Sequence, residues 1–139
     1  MKQDIIILSS RPEHTEPARA ALAKHDILAT IVPDTQEVLT ALHTHTPAFL
    51  WLDLDTDDAR PFLAKVMDRF LYPPPYIILT AAFSDSTDRA DMLDQGADAC
   101  VELPVDLSEI LAILNAVMRR EGRLRCVRTG SLLPCIEHK

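Results

Sequence analysis

A chain of 139 residues, 47% apolar and 25% charged, has the size of one globular domain and can bury about two thirds of its unfolded surface. It has no apolar stretch of the roughly 20 residues that a membrane span needs, and MKQDIIILSS carries an acid where a signal peptide needs basic residues. We therefore expect a cytoplasmic protein without membrane association. Three cysteines are too few and too scattered for a disulfide framework or a zinc site, and Cys126 and Cys135 are either paired or free thiols.

The net charge of −7 is unevenly distributed along the chain. Residues 1–118 hold 8 Lys and Arg against 19 Asp and Glu, a net charge of −11, whereas residues 119–139 hold 6 against 2, a net charge of +4. The acidic body argues against direct nucleic-acid binding by the domain itself. We expect one domain over residues 1–121, followed by a basic tail or the start of a linker over residues 122–139.

Strand and helix patterns alternate along the chain. Short apolar runs predict strands at residues 5–8, 28–32, 48–52, 76–79 and 99–101. Apolar residues at helical spacing predict helices over residues 13–24, 36–43, 59–71, 87–95 and from 107 to an end near 122. Asp34 before Glu37 resembles a capping box, and Gly96 stands where a left-handed C-terminal residue is expected. Five strand–helix pairs predict an α/β fold, with a five-stranded parallel sheet and helices on both faces.

The segment Pro47–Asp58, PAFLWLDLDTDD, is the centre of this pattern. Its apolar run predicts a strand buried on both faces, and Asp53 follows at the end of that strand, where open α/β sheets place their sites. A calcium loop does not fit the acids that follow, because position 6 is Asp58 instead of Gly and position 12 is Ala64 instead of Glu. If the domain has a site, we expect it at Asp53.

Four pieces of sequence in this order resemble the receiver domain of response regulators: PAFLWLD at 47–53, IILTA at 77–81, GAD at 96–98 and the Leu103-Pro104 pair. The resemblance covers residues 3–121. It implies a CheY-like, flavodoxin-like (βα)5 fold with strand order 2-1-3-4-5. It also implies a signalling domain of two-component phosphorelays, which is not an enzyme.

The resemblance assigns roles to single residues. The phospho-acceptor position corresponds to Asp53 and the switch hydroxyl to Thr80, and both residue types are present. The acidic pair that holds magnesium in the family corresponds to Ser9 and Ser10, which lack the carboxylates that a hard divalent cation prefers.

Two further positions also depart from the family. Leu103 stands in place of the lysine that neutralises the phosphoryl group, and Cys100 stands in place of the aromatic switch residue. Phosphoryl transfer to a carboxylate depends on cations around the transferred group. We therefore expect a pseudo-receiver that holds no metal or cofactor and acts through protein–protein interaction.

Two alternatives stay open at this point. In the first, Asp53 accepts a phosphoryl group with magnesium, with Arg11 as a surrogate cation and Glu13 as a distant metal ligand. In the second and more remote one, FLWLDLDTD and YIILT resemble the signature of haloacid-dehalogenase phosphatases, although Asp57 stands where that family has Thr or Val.

The last predicted helix offers a candidate interface. Ile113 widens its apolar stripe, and Ala112 and Ala116 form a flat outer patch at i, i+4 spacing. The resemblance implies a histidine kinase, an output domain or a regulator as partner. It also implies a homodimer through the last helix and the fifth strand.

Overall fold

The computed structural model describes residues 3–56, 58–68, 74–82 and 85–128, without the side chains of residues 3, 12, 14, 68 and 121–128. By their internal contacts these residues fall into two compact units, residues 1–105 and 106–139. Asp57, Cys135 and the side chain of Cys126 lie outside the described part. The predicted domain boundary after residue 121 stays a prediction.

The first unit contains one five-stranded parallel sheet with strand order β2-β1-β3-β4-β5, which confirms the predicted fold. The strands are β1 Gln3–Leu8, β2 Ile27–Val32, β3 Phe49–Asp53, β4 Tyr76–Ala81 and β5 Ala99–Glu102. Strand β3 lies at the centre, and all five of its residues are buried, as the unbroken apolar run predicts.

Four helices belong to the same unit: α1 Pro12–Ala23, α2 Thr35–Thr44, α3 Ala59–Asp68 and α4 Ser86–Asp94. Side chains of α2, α3 and α4 form one buried cluster with alternate residues of β1, β3 and β4. Ala18 and Leu22 of α1 are buried outside that cluster, so helices cover both faces of the sheet. The second unit contains α5, Leu107–Arg128.

Local chemistry explains where several helices begin and end. The carboxylate of Asp34 accepts the main-chain N–H of Glu37 at 2.9 Å, which confirms the predicted cap of α2. Asp85 caps α4 in the same way through Asp88, a cap that the sequence did not single out. Gly96 follows α4 with φ +126°, a conformation that favours glycine.

Helix α1 begins after Arg11 without a side-chain cap. One sequence expectation about a helix end is wrong. Helix α5 was expected to end near Gly122, yet it continues to Arg128. A single glycine costs a helix only about 1 kcal/mol, and the Arg, Glu and Leu residues around it are strong helix formers.

Strand β2 forms one edge of the sheet and exposes Leu28, a residue that is 65% accessible. Over the residues that the structure describes, no helix combines the length and the apolar character needed to cross a membrane.

Candidate functional site

The candidate site lies at the carboxyl edge of the sheet, where three neighbouring strands end. Asp53 is the last residue of β3, Ser9 follows directly after β1, and Thr80 is the last but one residue of β4. Leu8 is the register partner of Leu52, and Asp53 is the register partner of Thr80. Parallel pairing therefore brings together three positions that the sequence analysis named.

Asp53 is 3% exposed, and its carboxylate accepts hydrogen bonds from uncharged donors. The Ser9 hydroxyl donates to Oδ2 at 3.1 Å, and the main-chain N–H of Asp55 donates to Oδ1 at 3.2 Å. Among the ion pairs of the described residues, none includes Asp53. Among the described residues, the buried carboxylate is thus held by hydrogen bonds from uncharged donors and by no cation.

Ser9 ties the end of β1 to this carboxylate. Its side chain is 1% exposed, and its Oγ accepts the N–H of Arg11 at 3.1 Å. The same Oγ lies 3.3 Å from the Arg11 carbonyl, but its single proton goes to the closer and charged carboxylate of Asp53. Ser9 therefore serves the site instead of capping α1.

Ser10 takes part through its main chain. Its N–H donates to the Thr56 hydroxyl at 3.1 Å, while its own side chain is exposed. Thr56 is buried in the turn after β3, where its N–H donates to the Asp53 carbonyl at 3.0 Å. The loops after β1 and β3 are therefore joined by two hydrogen bonds, one through each serine.

Thr80 is 1% exposed and accepts the indole N–H of the fully buried Trp51 at 3.0 Å. Because an indole only donates, the Thr80 oxygen is the acceptor in this bond. The Thr80 carbonyl accepts the N–H of Leu54 at 2.9 Å, so both its main chain and its side chain are bound to the β3 segment.

Leu103 and Cys100 bring no charge to the site. Leu103 is half-buried, donates its main-chain N–H to the Ala81 carbonyl at 3.0 Å and precedes Pro104 through a cis peptide bond. Cys100 is half-buried on β5, with its thiol 3.9 Å from the Arg89 carbonyl. Burial raises the pKa of this thiol above its ordinary value, although the Arg89 charge partly counteracts the rise.

The donor set does not fit the magnesium ion that the fold family implies. Magnesium prefers carboxylate oxygens, but the two positions after β1 offer hydroxyls, and Asp53 is already bonded to Ser9. In the described part of the chain, no group of three or more His, Cys, Asp or Glu could hold a metal ion. Arg11 and Glu13 are exposed, and no ion pair of the described residues joins Arg11 to Asp53.

The predicted interface residues lie on α5, in the second unit. Ala112 and Ala116 are exposed at i, i+4 spacing, and Ile113 is half-buried. Their role as an interface stays a prediction.

Sequence reasoning missed Thr56 and Trp51 as parts of this site. Thr56 was passed over as one residue of an acidic run, although a hydroxyl three residues after the strand-end acid suits a tight turn. Trp51 was counted only as core, yet it lies two residues before Asp53 and therefore on the same face of β3. Its position was readable from the sequence, but its hydrogen-bond partner depends on the pairing of β3 with β4.

No model of a known protein family matches the chain, but its sequence is similar to that of curated proteins. The chain is similar to the transcriptional regulatory protein KdpE of Mycobacterium tuberculosis, with 28% identity over 116 residues, 84% of this chain and 51% of KdpE. It is also similar to the transcriptional regulatory protein CseB of Streptomyces avermitilis, with 29% identity over 109 residues, 77% of this chain and 45% of CseB. The chain spans about half the length of these relatives.

Solved structures give the same fold. A two-component response regulator from Clostridium difficile matches with a TM-score of 0.78 at 15% identity, over 86% of this chain and 98% of that one. A CheY-like receiver domain from Methylobacillus flagellatus matches with a TM-score of 0.74 at 17% identity, over 84% of this chain and 99% of that one. At these identities the likeness establishes the receiver fold alone.

Proposed function

Since this chain is a response-regulator receiver domain by its fold and its sequence relatives, we propose that it is a pseudo-receiver. In this proposal the domain transmits its signal by binding a protein partner, and it does so without a magnesium-dependent aspartyl phosphate. It is a signalling module and not an enzyme, and it needs no cofactor.

The Ser9–Asp53 hydrogen bond is the observation that carries the proposal. The Ser9 hydroxyl occupies Oδ2 at 3.1 Å and the Asp55 N–H occupies Oδ1 at 3.2 Å, so both oxygens of the acceptor position are already bonded. A nucleophilic carboxylate needs one oxygen directed at the phosphorus atom. Each hydrogen bond fixes the direction of one carboxylate oxygen and holds one of its two lone pairs, which lowers the nucleophilicity of Asp53.

Charge around Asp53 supports the same conclusion. A phosphoryl group carries a charge of about −1.5 to −2 at neutral pH and needs cations around its oxygens. The exposed acids Asp55 and Asp58 follow Asp53. Ser9 stands where the resemblance implies a carboxylate ligand of magnesium, and Leu103 stands where it implies a lysine. The site thus offers repulsion where phosphoryl transfer requires attraction.

The partner in this proposal is another protein or protein domain. The relatives named above are transcriptional regulatory proteins, and the match to this chain covers only about half of each, which supports an output domain as one partner. The exposed Ala112 and Ala116 support a second copy of the chain as another, through α5 and strand β5. A histidine kinase or a regulator would also bind the domain through a protein–protein contact.

Intact-mass spectrometry after incubation with acetyl phosphate and magnesium tests the proposal. We expect no mass increase of one phosphoryl group, either in the native chain or in Asp53→Asn. A phosphoryl adduct that is absent from Asp53→Asn would overturn the proposal and establish the phospho-accepting alternative. Circular dichroism of the same samples shows that both proteins are folded.

A gain-of-function variant sharpens this test. Ser9→Asp with Ser10→Asp supplies the two carboxylates, and Leu103→Lys supplies the cation. We expect the triple variant to take up a phosphoryl group from acetyl phosphate, and Asp53→Asn in that background to abolish the uptake. A matched control replaces the same residues with Asn, Asn and Gln, which add polar groups without charge.

A further inference from the structure

In the order of the sheet, strand β4 lies between Asp53 on β3 and the edge strand β5. Thr80 is the register partner of Asp53 on one side and of Val101 on the other. Thr80 is therefore the residue of β4 that is paired both with Asp53 and with β5, and a rearrangement that spreads along this register passes through it.

We propose that Trp51 locks Thr80 in one conformation and thereby isolates α4 and β5 from events at Asp53. The indole N–H of Trp51 donates to the Thr80 hydroxyl oxygen at 3.0 Å, and both side chains are buried. This inference rests on the proposed pseudo-receiver function and deepens it. It explains how β5, which is part of the proposed partner contact, keeps its conformation when the environment of Asp53 changes.

The strength of the lock follows from the chemistry of the indole. Trp51 is the only tryptophan of the chain, and its N–H has no second role, since an indole can donate but not accept. If Thr80 turned its hydroxyl away, this N–H would stay buried without an acceptor. The penalty of an unpaired buried donor corresponds to a preference of about tenfold or more for the bonded rotamer.

The main chain strengthens the same junction. The Thr80 carbonyl accepts the Leu54 N–H at 2.9 Å, directly after Asp53. The next residue of β4, Ala81, accepts the Leu103 N–H at 3.0 Å at the end of β5. These main-chain bonds hold the backbone of Thr80 and Ala81 in place, and Trp51 fixes the Thr80 side chain from the β3 side.

Nuclear magnetic resonance of the full chain tests the lock in two steps. In the native background, Asp53→Asn should shift the amide signals of residues 9–11 and 53–59, while those of α4 and β5 stay unchanged. In a Trp51→Phe background, which removes the N–H and keeps an aromatic ring, the same substitution should shift the signals of α4 and β5 as well. Phe49→Leu, on the same face of β3, is the matched control and should keep the shifts confined.

The Thr80 side chain provides an independent measurement. Three-bond couplings at residue 80 should give a single χ1 rotamer in the native chain. They should do the same in Thr80→Ser, which keeps the hydroxyl acceptor. In Trp51→Phe, the couplings of Thr80 should be averaged over several rotamers. Two results would overturn the lock, and neither needs Trp51→Phe to fold. The first is that Asp53→Asn in the native background shifts the signals of α4 and β5. The second is that Thr80 averages its χ1 rotamers in the native chain. The phosphorylation assay is separate, so an adduct on Asp53 with confined shifts would overturn the proposed function alone.

Discussion

Replacing Ser9 with alanine should destabilise the domain through the acceptor carboxylate. The substitution removes the donor that reaches Asp53 Oδ2 at 3.1 Å and the acceptor of the Arg11 N–H, in a position that is almost fully buried. A hydrogen bond to a charged group contributes about 1.5–3 kcal/mol. We expect Ser9→Ala to lower the free energy of unfolding by about 2 kcal/mol.

Urea unfolding followed by circular dichroism measures this loss. With an m-value of about 2 kcal/mol per molar urea, the midpoint should fall by about 1 M at an unchanged slope. Ser10→Ala is the matched control, because Ser10 is exposed and contributes its main-chain N–H to Thr56. A surface change of this kind should stay within about 0.5 kcal/mol.

A double-mutant cycle with Asp53→Asn assigns the effect to the pair. If the loss comes from the buried charge, Ser9→Ala should cost less in the Asp53→Asn background than in the native one. Equal midpoints for Ser9→Ala and Ser10→Ala would refute the reasoning, and so would a Ser9→Ala cost that is the same in both backgrounds.

Three further predictions concern the supports of the fold. Asp34→Ala removes the N-cap of α2 and should lower the free energy of unfolding by about 1 kcal/mol in urea titrations. Gly96→Ala should lower the melting temperature, because φ is +126° and an added Cβ would lie 2.6 Å from the Met67 sulfur, and Met67→Ala should restore only part of the loss. Asp106 precedes α5, and hydrogen bonds from the side chain and main chain of Ser108 lower the pKa of its carboxylate. These bonds stabilise the folded state above the usual aspartate pKa, and that contribution is lost as the pH falls through the lowered value. The amide shift of Ser108 in an acid titration should follow that loss, and a Ser108 amide that titrates above the usual aspartate range would contradict it.

Most of the fold could be predicted because its signals are local. The apolar run before Asp53, the cap at Asp34 and the positive φ at Gly96 each depend on a few neighbouring residues. The end of the last helix could not be predicted from Gly122, because one unfavourable residue is outweighed by the strong helix formers on both sides.

In the candidate site, the positions of the residues could be predicted, but their hydrogen bonds could not. The position of Asp53 at a strand end followed from the sequence, and the acceptor, hydroxyl and degenerate positions followed from the family resemblance. That Ser9 donates to Asp53 and Trp51 donates to Thr80 did not follow from either. Both bonds depend on strand register and on side-chain rotamers, which a single sequence does not specify.

The hydrogen bonds of the site span long stretches of chain, and this has a consequence for folding. Ser9 and Asp53 are 44 residues apart, and Ser10 and Thr56 are 46 apart. Contacts of such separation require the entropy of loop closure to be overcome first, so they form after the local helices and together with the pairing of β1 and β3. A chain that ends before β3 therefore leaves both serines without their partners. The loops after β1 and β3 acquire their final conformations together, when β1 and β3 pair.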